Sequence, residues 1–166
     1  MRFRIAGVAI VAVAATALFA GGGQVSAQQD PAQLAKERHQ LMEGLWPNYY
    51  QAMAQFARGQ NTDAAAIPEK ARQAAAAVRR IPALFPAGSG RDAVPATRAR
   101  PSIWEERAEF EANAEKLAVE TERLGEIAKG GDIEAFKAQD AVVSQACTAC
   151  HGGPPKSGGK FRFREE

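Results

Sequence analysis

Residues 102–151 read SIWEERAEFEANAEKLAVETERLGEIAKGGDIEAFKAQDAVVSQACTACH. In the first part, Ile103, Phe110, Leu117 and Leu124 recur every seven residues, with Ala114 and Ala128 between them. That spacing is a helix-bundle seam. Ser102 followed by Glu105 has the form of a capping box and opens a helix over about 102–129. Gly130-Gly131 stops it. Asp132 is a good N-cap for a second helix, whose Ile133, Phe136, Val143, Cys147 and Cys150 share one stripe. Two helices joined by so short a turn must lie antiparallel as neighbours.

Upstream, two further amphipathic segments complete the set. Asp30 and Pro31 suit an N-cap and first helical position for a helix over about 31–58. Its apolar stripe is Leu34, Leu41, Leu45, Tyr49, Met53 and Phe56. Pro47 lies inside that stripe and is expected to kink or bend it. An Ala-rich segment follows over about 62–80, capped by Thr62 or Asp63, with Pro68 a candidate for its true start. Residues 81–101 form a long connection containing four prolines, from which Ile81, Leu84 and Phe85 are expected to turn inward. No run alternates with period two, so no sheet is expected. The fold class is all-α, an antiparallel four-helix bundle over residues 28–151, followed by a Gly/Pro-rich basic tail over 152–166.

Residues 1–27 read as a cleaved secretory signal peptide. Arg2 and Arg4 supply the positive start, residues 5–20 are almost wholly apolar, and Val25-Ser26-Ala27 is a small-residue cleavage site. Its removal takes two of the 21 basic residues, leaving 19 against 19 acidic ones. A mature chain of zero formal charge offers no case for nucleic acid binding. Export places the protein in the periplasm.

The chemistry lies in Cys147-Thr148-Ala149-Cys150-His151. This C-x-x-C-H run is the c-type haem attachment pattern, and its chance occurrence in this composition is about 3 in 10,000. Two thiols three residues apart on a helix face the same side and can reach the two vinyl groups of one porphyrin. His151, four residues after Cys147, rises on that side under the iron. A redox pair would instead open a helix after a strand. A structural zinc site needs four ligands, and only His39 remains as a second His. One covalent haem c is therefore the expected cofactor, with Cys147 and Cys150 as thioether links and His151 as proximal iron ligand.

Signal peptide, four helices and a C-terminal C-x-x-C-H together resemble the cytochrome c′ superfamily. Arg38-His39-Gln40-Leu41-Met42 is similar to its first-helix segment. Leu84-Phe85-Pro86, and Ile103-Trp104 with Arg107, Ala108 and Phe110, are similar to its low-spin, Met-ligated branch. The resemblance implies that Arg38 pairs with a haem propionate and that Met42 faces the distal side of the iron. In that branch Met42 is the sixth ligand, and thioether ligation opposite His raises the reduction potential. The expectation is then a periplasmic single-electron carrier, not an enzyme, serving periplasmic redox proteins or a membrane oxidoreductase. The alternative is a five-coordinate iron behind Met42 that binds nitric oxide or carbon monoxide. His39 could compete as a ligand, Met53 reads as core, Trp104 as packed, and Trp46 and Tyr49 are expected to wall the haem pocket. The family also implies a homodimer through the first two helices.

One departure stands out. In relatives an aromatic-Arg pair follows the haem His closely, whereas here residues 152–160 intervene before Phe161-Arg162-Phe163-Arg164. The tail either returns toward the haem edge, with Arg162 or Arg164 replacing the family's arginine, or stays solvated.

Overall fold

Asp30 accepts a hydrogen bond from the Ala32 N–H at 3.0 Å and so starts helix α1, Pro31–Leu45. The computed structural model describes residues 30–60, 63–153 and 158–164; residues 1–27, expected to be a signal peptide, lie outside them. Pro47 has no N–H to give to the carbonyl four residues back, which disrupts the α ladder. The chain responds with a π turn, Trp46–Tyr50, closed by the Gln51 N–H on the Trp46 carbonyl, and continues as α2, Gln51–Ala57. The first helix of the bundle is therefore one rod with a wide turn in its middle. The Asp63 side chain accepts from Ala66 N–H at 3.3 Å and caps a short 3-10 turn, and α3 runs Ile67–Arg79 with Pro68 in its first turn.

A 3-10 turn at Pro82–Leu84 opens the long connection. The helix expected from residue 102 is interrupted: α4 is Ser102–Glu105, Glu106 leaves helical geometry at φ −115° and ψ 45°, and α5 runs Arg107–Lys129. The expected capping box does not form, because α4 has no side-chain cap and the Ser102 hydroxyl donates to the Lys160 carbonyl instead. After Gly130-Gly131, Asp132 caps α6, Ile133–His151, through the Ala135 N–H at 3.0 Å. Among the described residues there is no strand, only an isolated bridge between Ala99 and Arg162.

The helices alternate in direction. Gly125, late in α5, approaches Pro68 and Ala71, early in α3. Arg79, at the end of α3, pairs with Glu115 at 2.9 Å and Glu122 at 2.5 Å, earlier in α5. Phe56 meets Phe136 edge-on at 4.8 Å, while Tyr50 lies within electrostatic reach of Cys147, so the first rod and α6 also run opposite ways. The core falls into two clusters. One, toward the Gly130-Gly131 turn, holds Met53, Phe56, Ile67, Leu124, Phe136 and Val143. The other holds Leu45, Val78, Phe85, Ile103, Phe110 and Phe161. Tyr49, Tyr50 and Leu117 border both. No helix among the described residues is long and apolar enough to cross a membrane.

Candidate functional site

The last turns of α6 place Cys147 and Cys150 half-buried and unpaired, with His151 half-buried as the final helical residue. Thr148, between the cysteines, faces outward and bonds the Gln145 carbonyl at 2.8 Å. Gly152 terminates the helix at φ 81° with its N–H on the Thr148 carbonyl at 2.8 Å. An open helix end leaves carbonyls without partners. One is satisfied from far along the chain: the Phe161 N–H donates to the Cys150 carbonyl at 3.2 Å.

The described part of the tail thus returns. Gly159 passes so close to α6 that a Cβ there would fall 2.5 Å from the His151 carbonyl carbon and 2.6 Å from the Cys150 oxygen, so only glycine fits. A turn follows, with Gly159 N–H on the Arg162 carbonyl at 2.8 Å. Phe161 is 2% exposed and packs edge-on to Phe110 at 5.2 Å. Arg100 N–H donates to the Phe161 carbonyl and Phe163 N–H to the Arg98 carbonyl, at 3.1 and 2.8 Å. Lys160 pairs with Glu106 and Glu109, both at 2.5 Å. Of the two candidate arginines, Arg162 lies close enough to act electrostatically on His151.

The local electrostatics suit neutral groups. Burial, with Asp140 nearby, pushes the Cys147 thiol up; burial, with Cys147 and Glu109, pushes Cys150 up to about 11. Reactive redox cysteines have lowered values, and the shift of this pair is in the opposite direction. Burial and then the Arg162 charge lower the His151 value, which keeps its imidazole neutral, the form that ligates a metal. No group of three or more His, Cys, Asp or Glu side chains placed to hold a metal ion occurs among the described residues. His39 is turned to solvent, its side chain 66% exposed, and meets Glu43 at 3.1 Å.

Arg38 is buried on α1 and spends three N–H groups on the connection. It donates to the Leu84 carbonyl at 2.6 Å, to the Ser89 carbonyl at 3.0 Å and to the Ser89 hydroxyl, and its guanidinium lies 4.2 Å from the Phe85 ring centroid. No carboxylate of the described residues meets it, and burial lowers its pKa. A guanidinium has five N–H donors, so two remain available to an anion. Met42, one turn on, is half-buried and borders the same cluster as Leu84 and Cys150. Met53 is core, as expected, and Trp104 packs against the cluster. Trp46 does not wall the pocket. It is 56% exposed, because Leu45 takes the inward position and the next residue is turned about 100° away. Tyr49 does pack inward. Sequence reading left open whether the Phe161–Arg164 stretch returns and missed the roles of Gly159 and Ser89; the Gly158-Gly159 pair before an aromatic was the available signal for Gly159.

These residues fit one covalent haem c. Two free thiols on one helical turn, a neutral imidazole beside them and a buried guanidinium without a carboxylate partner among the described residues match its vinyl groups, its iron and its propionates.

A profile of the family described as cytochrome c′ matches residues 33–153. The chain is 29% identical over 117 residues to cytochrome c′ of Rubrivivax gelatinosus, covering 70% of this chain and 90% of that one. It is 28% identical over 104 residues to cytochrome c′ of Pararhodospirillum photometricum, covering 63% and 82%. Among solved structures, the nitric oxide complex of a point variant of cytochrome c prime from Alcaligenes xylosoxidans superposes with a TM-score of 0.66 at 23% identity, covering 82% of this chain and 98% of that one. A ferrous variant of the same protein with bound NO gives 0.67 at 22% identity, covering 83% and 99%.

These likenesses overturn the expectation of a single-electron carrier with iron held between His151 and Met42. They support the alternative reading better than the carrier reading. The structure supplies the reason for the misreading. Leu84-Phe85-Pro86, Trp104 and Arg107, taken as marks of a ligated branch, have an architectural job: Trp104 donates to the Pro86 carbonyl and Arg107 to those of Phe85 and Pro82.

Proposed function

Because the chain belongs to the cytochrome c′ family, whose cofactor is one covalent haem c, we propose that it is an exported protein that binds nitric oxide or carbon monoxide. The observation that carries this reading is the family match over residues 33–153, which includes both the C-x-x-C-H turn and Met42. The haem supplies an iron with one open coordination position for a diatomic gas.

The chain's own residues do the rest. Cys147 and Cys150, free thiols on one face of α6, would hold the haem through thioether links to its two vinyl groups. His151, kept neutral by burial and the Arg162 charge, presents its ring nitrogen lone pair to the metal. Met42, half-buried at the border of the apolar cluster, would shield the open side of the iron from water with an unbranched, adaptable thioether side chain. Arg38 turns its two remaining N–H groups to a haem propionate; a charge-assisted bond of this kind is the strong kind. Residues 1–27 direct export to the periplasm. There a redox protein or membrane oxidoreductase keeps the iron ferrous, and a homodimer through the first two helices is supported by the exposed Trp46 on the first rod. The protein binds rather than transforms its ligand, since the available distal acid–base candidate, His39, is turned to solvent beside Glu43.

The test is spectroscopic. Ferric protein is expected to be high-spin at neutral pH without a long-wavelength sulfur-to-iron band, and ferrous protein to shift its Soret band on adding carbon monoxide. A low-spin ferric spectrum with that band, and no response to the gas, refutes the proposal.

A further inference from the structure

Connections of this length normally run over the surface with their backbone groups in water. Residues 82–89 lie at the surface, with Ala83, Pro86, Ala87 and Gly88 exposed, but bury Phe85 and Ser89 and give their carbonyls to the bundle rather than to water. Five of their carbonyls accept hydrogen bonds from side chains of three different helices: Leu84 and Ser89 from Arg38 of α1, Pro86 from Trp104 of α4, and Phe85 and Pro82 from Arg107 of α5. The segment is also closed on itself, with Leu84 N–H on Ile81, Phe85 N–H on Pro82 and Ser89 N–H on Pro86, at 3.1, 3.1 and 3.3 Å. The Phe85 ring is fixed edge-on by Phe110 at 5.2 Å and Trp104 at 6.2 Å, with the Arg38 guanidinium against it.

Burying a guanidinium costs free energy unless its donors are met. Spending a buried Arg38 on neutral loop carbonyls is costly merely to tidy a loop. Its position gives the expense a purpose. Arg38 stands one helical turn before Met42, and Leu84 shares with Met42 and Cys150 the border of one apolar cluster. Hence the clamped segment is bonded to α1 through Arg38, one turn before Met42, the residue that the gas-binding reading places on the open side of the iron.

We propose that residues 82–89 form a lid on the Met42 side of the site, and that Arg38, Trp104 and Arg107 are positioning residues which set how fast a diatomic gas enters. This inference rests on the gas-binding reading above. Arg107 is the informative member, because it touches the lid without belonging to the haem site. Its Nε–H pairs with Glu111 at 2.6 Å, and its other two nitrogens hold the Phe85 and Pro82 carbonyls, each at 2.8 Å.

The experiment uses the haem-loaded, full-length protein and two readouts: amide hydrogen exchange at Leu84, Phe85 and Ser89, and the carbon monoxide association rate after flash photolysis. Arg107→Gln is expected to speed exchange at those amides about tenfold, what losing one net hydrogen bond costs, and to raise the association rate several-fold. Arg107→Lys, which restores one charged donor, recovers part of both. Glu111→Gln, which removes the ion pair and leaves the lid bonds, changes neither. Trp104→Phe, which keeps the ring and deletes the donor to Pro86, moves both as Arg107→Gln does and guards against a folding failure in that variant. Faster exchange with an unchanged association rate overturns the gate, and so does unchanged exchange. Wild-type protein that takes up no carbon monoxide refutes the gas-binding reading, and the gate with it, whatever the exchange data show.

Discussion

Tyr50 ends the π turn, and its hydroxyl meets Thr121 Oγ1 at 2.9 Å while Thr121 in turn donates to the Leu117 carbonyl at 2.8 Å. Burial, partly offset by the Thr121 bond and reinforced by Cys147, pushes the phenol from 10.0 up to about 12. The proton is thus held more tightly in the folded state than in the unfolded one. Between those two values the unfolded chain gives up the proton first, so stability falls as pH rises. The contribution is fully present below pH 10 and disappears as pH climbs through about 12. Tyrosinate absorbance should show one of the two tyrosines ionising near pH 12 in native protein, and Tyr50→Phe should remove that late step. A single early ionisation step for both residues contradicts the burial of Tyr50. Sequence reading placed Tyr49 correctly in the apolar stripe but had no signal for Tyr50, because the extra residue of the π turn changes which side chains face the core.

Helix contacts turn on small residues. Where α3 crosses α5, a Cβ on Gly125 would lie 2.7 Å from the Ala71 Cβ and 3.2 Å from the Pro68 Cα. Neither neighbour is a flexible tip that can swing aside, so the helices themselves would have to separate. Gly125→Ala should therefore destabilise the protein by about 1–3 kcal/mol, the range for overpacking, despite the better helix propensity of alanine. Urea unfolding measures it; a neutral or stabilising result means that the helices do not approach as described. The seam at Phe110, Leu117 and Leu124 was legible in the sequence because burial imposes its period directly. The break at Glu106 was not, because Ser102 is bonded to the tail, a partner no local pattern announces.

The molecule as a whole is closed by its C-terminus. A chain of edge-on rings, Trp104, Phe85, Phe110 and Phe161, links the lid to the returning tail, and the Phe161 N–H ends on Cys150. Gly159→Ala removes the room for that return. We expect the tail to leave the bundle, exposing Phe161, whose burial is worth about 1.5–3 kcal/mol. The midpoint of chemical denaturation should drop accordingly, and protease cleavage after Lys160 should accelerate while far-ultraviolet circular dichroism stays helical. Unchanged protection of Lys160 would show that the close approach of Gly159 is not needed.

The amino-acid sequence by itself determined the helical class, the order and bounds of the four long segments to within a few residues, and the C-x-x-C-H turn as the candidate haem site. Each of these is written in local terms: a seven-residue apolar period, glycine and aspartate at helix ends, two cysteines and a histidine on one turn. What only the tertiary structure decided was which distant groups meet there. Arg38 reaches the 82–89 connection across 46 to 51 residues of chain, and Ser102 meets Lys160 across 58. Such pairings depend on how whole helices pack, and packing is fixed by the summed burial of the entire core rather than by any stretch read alone.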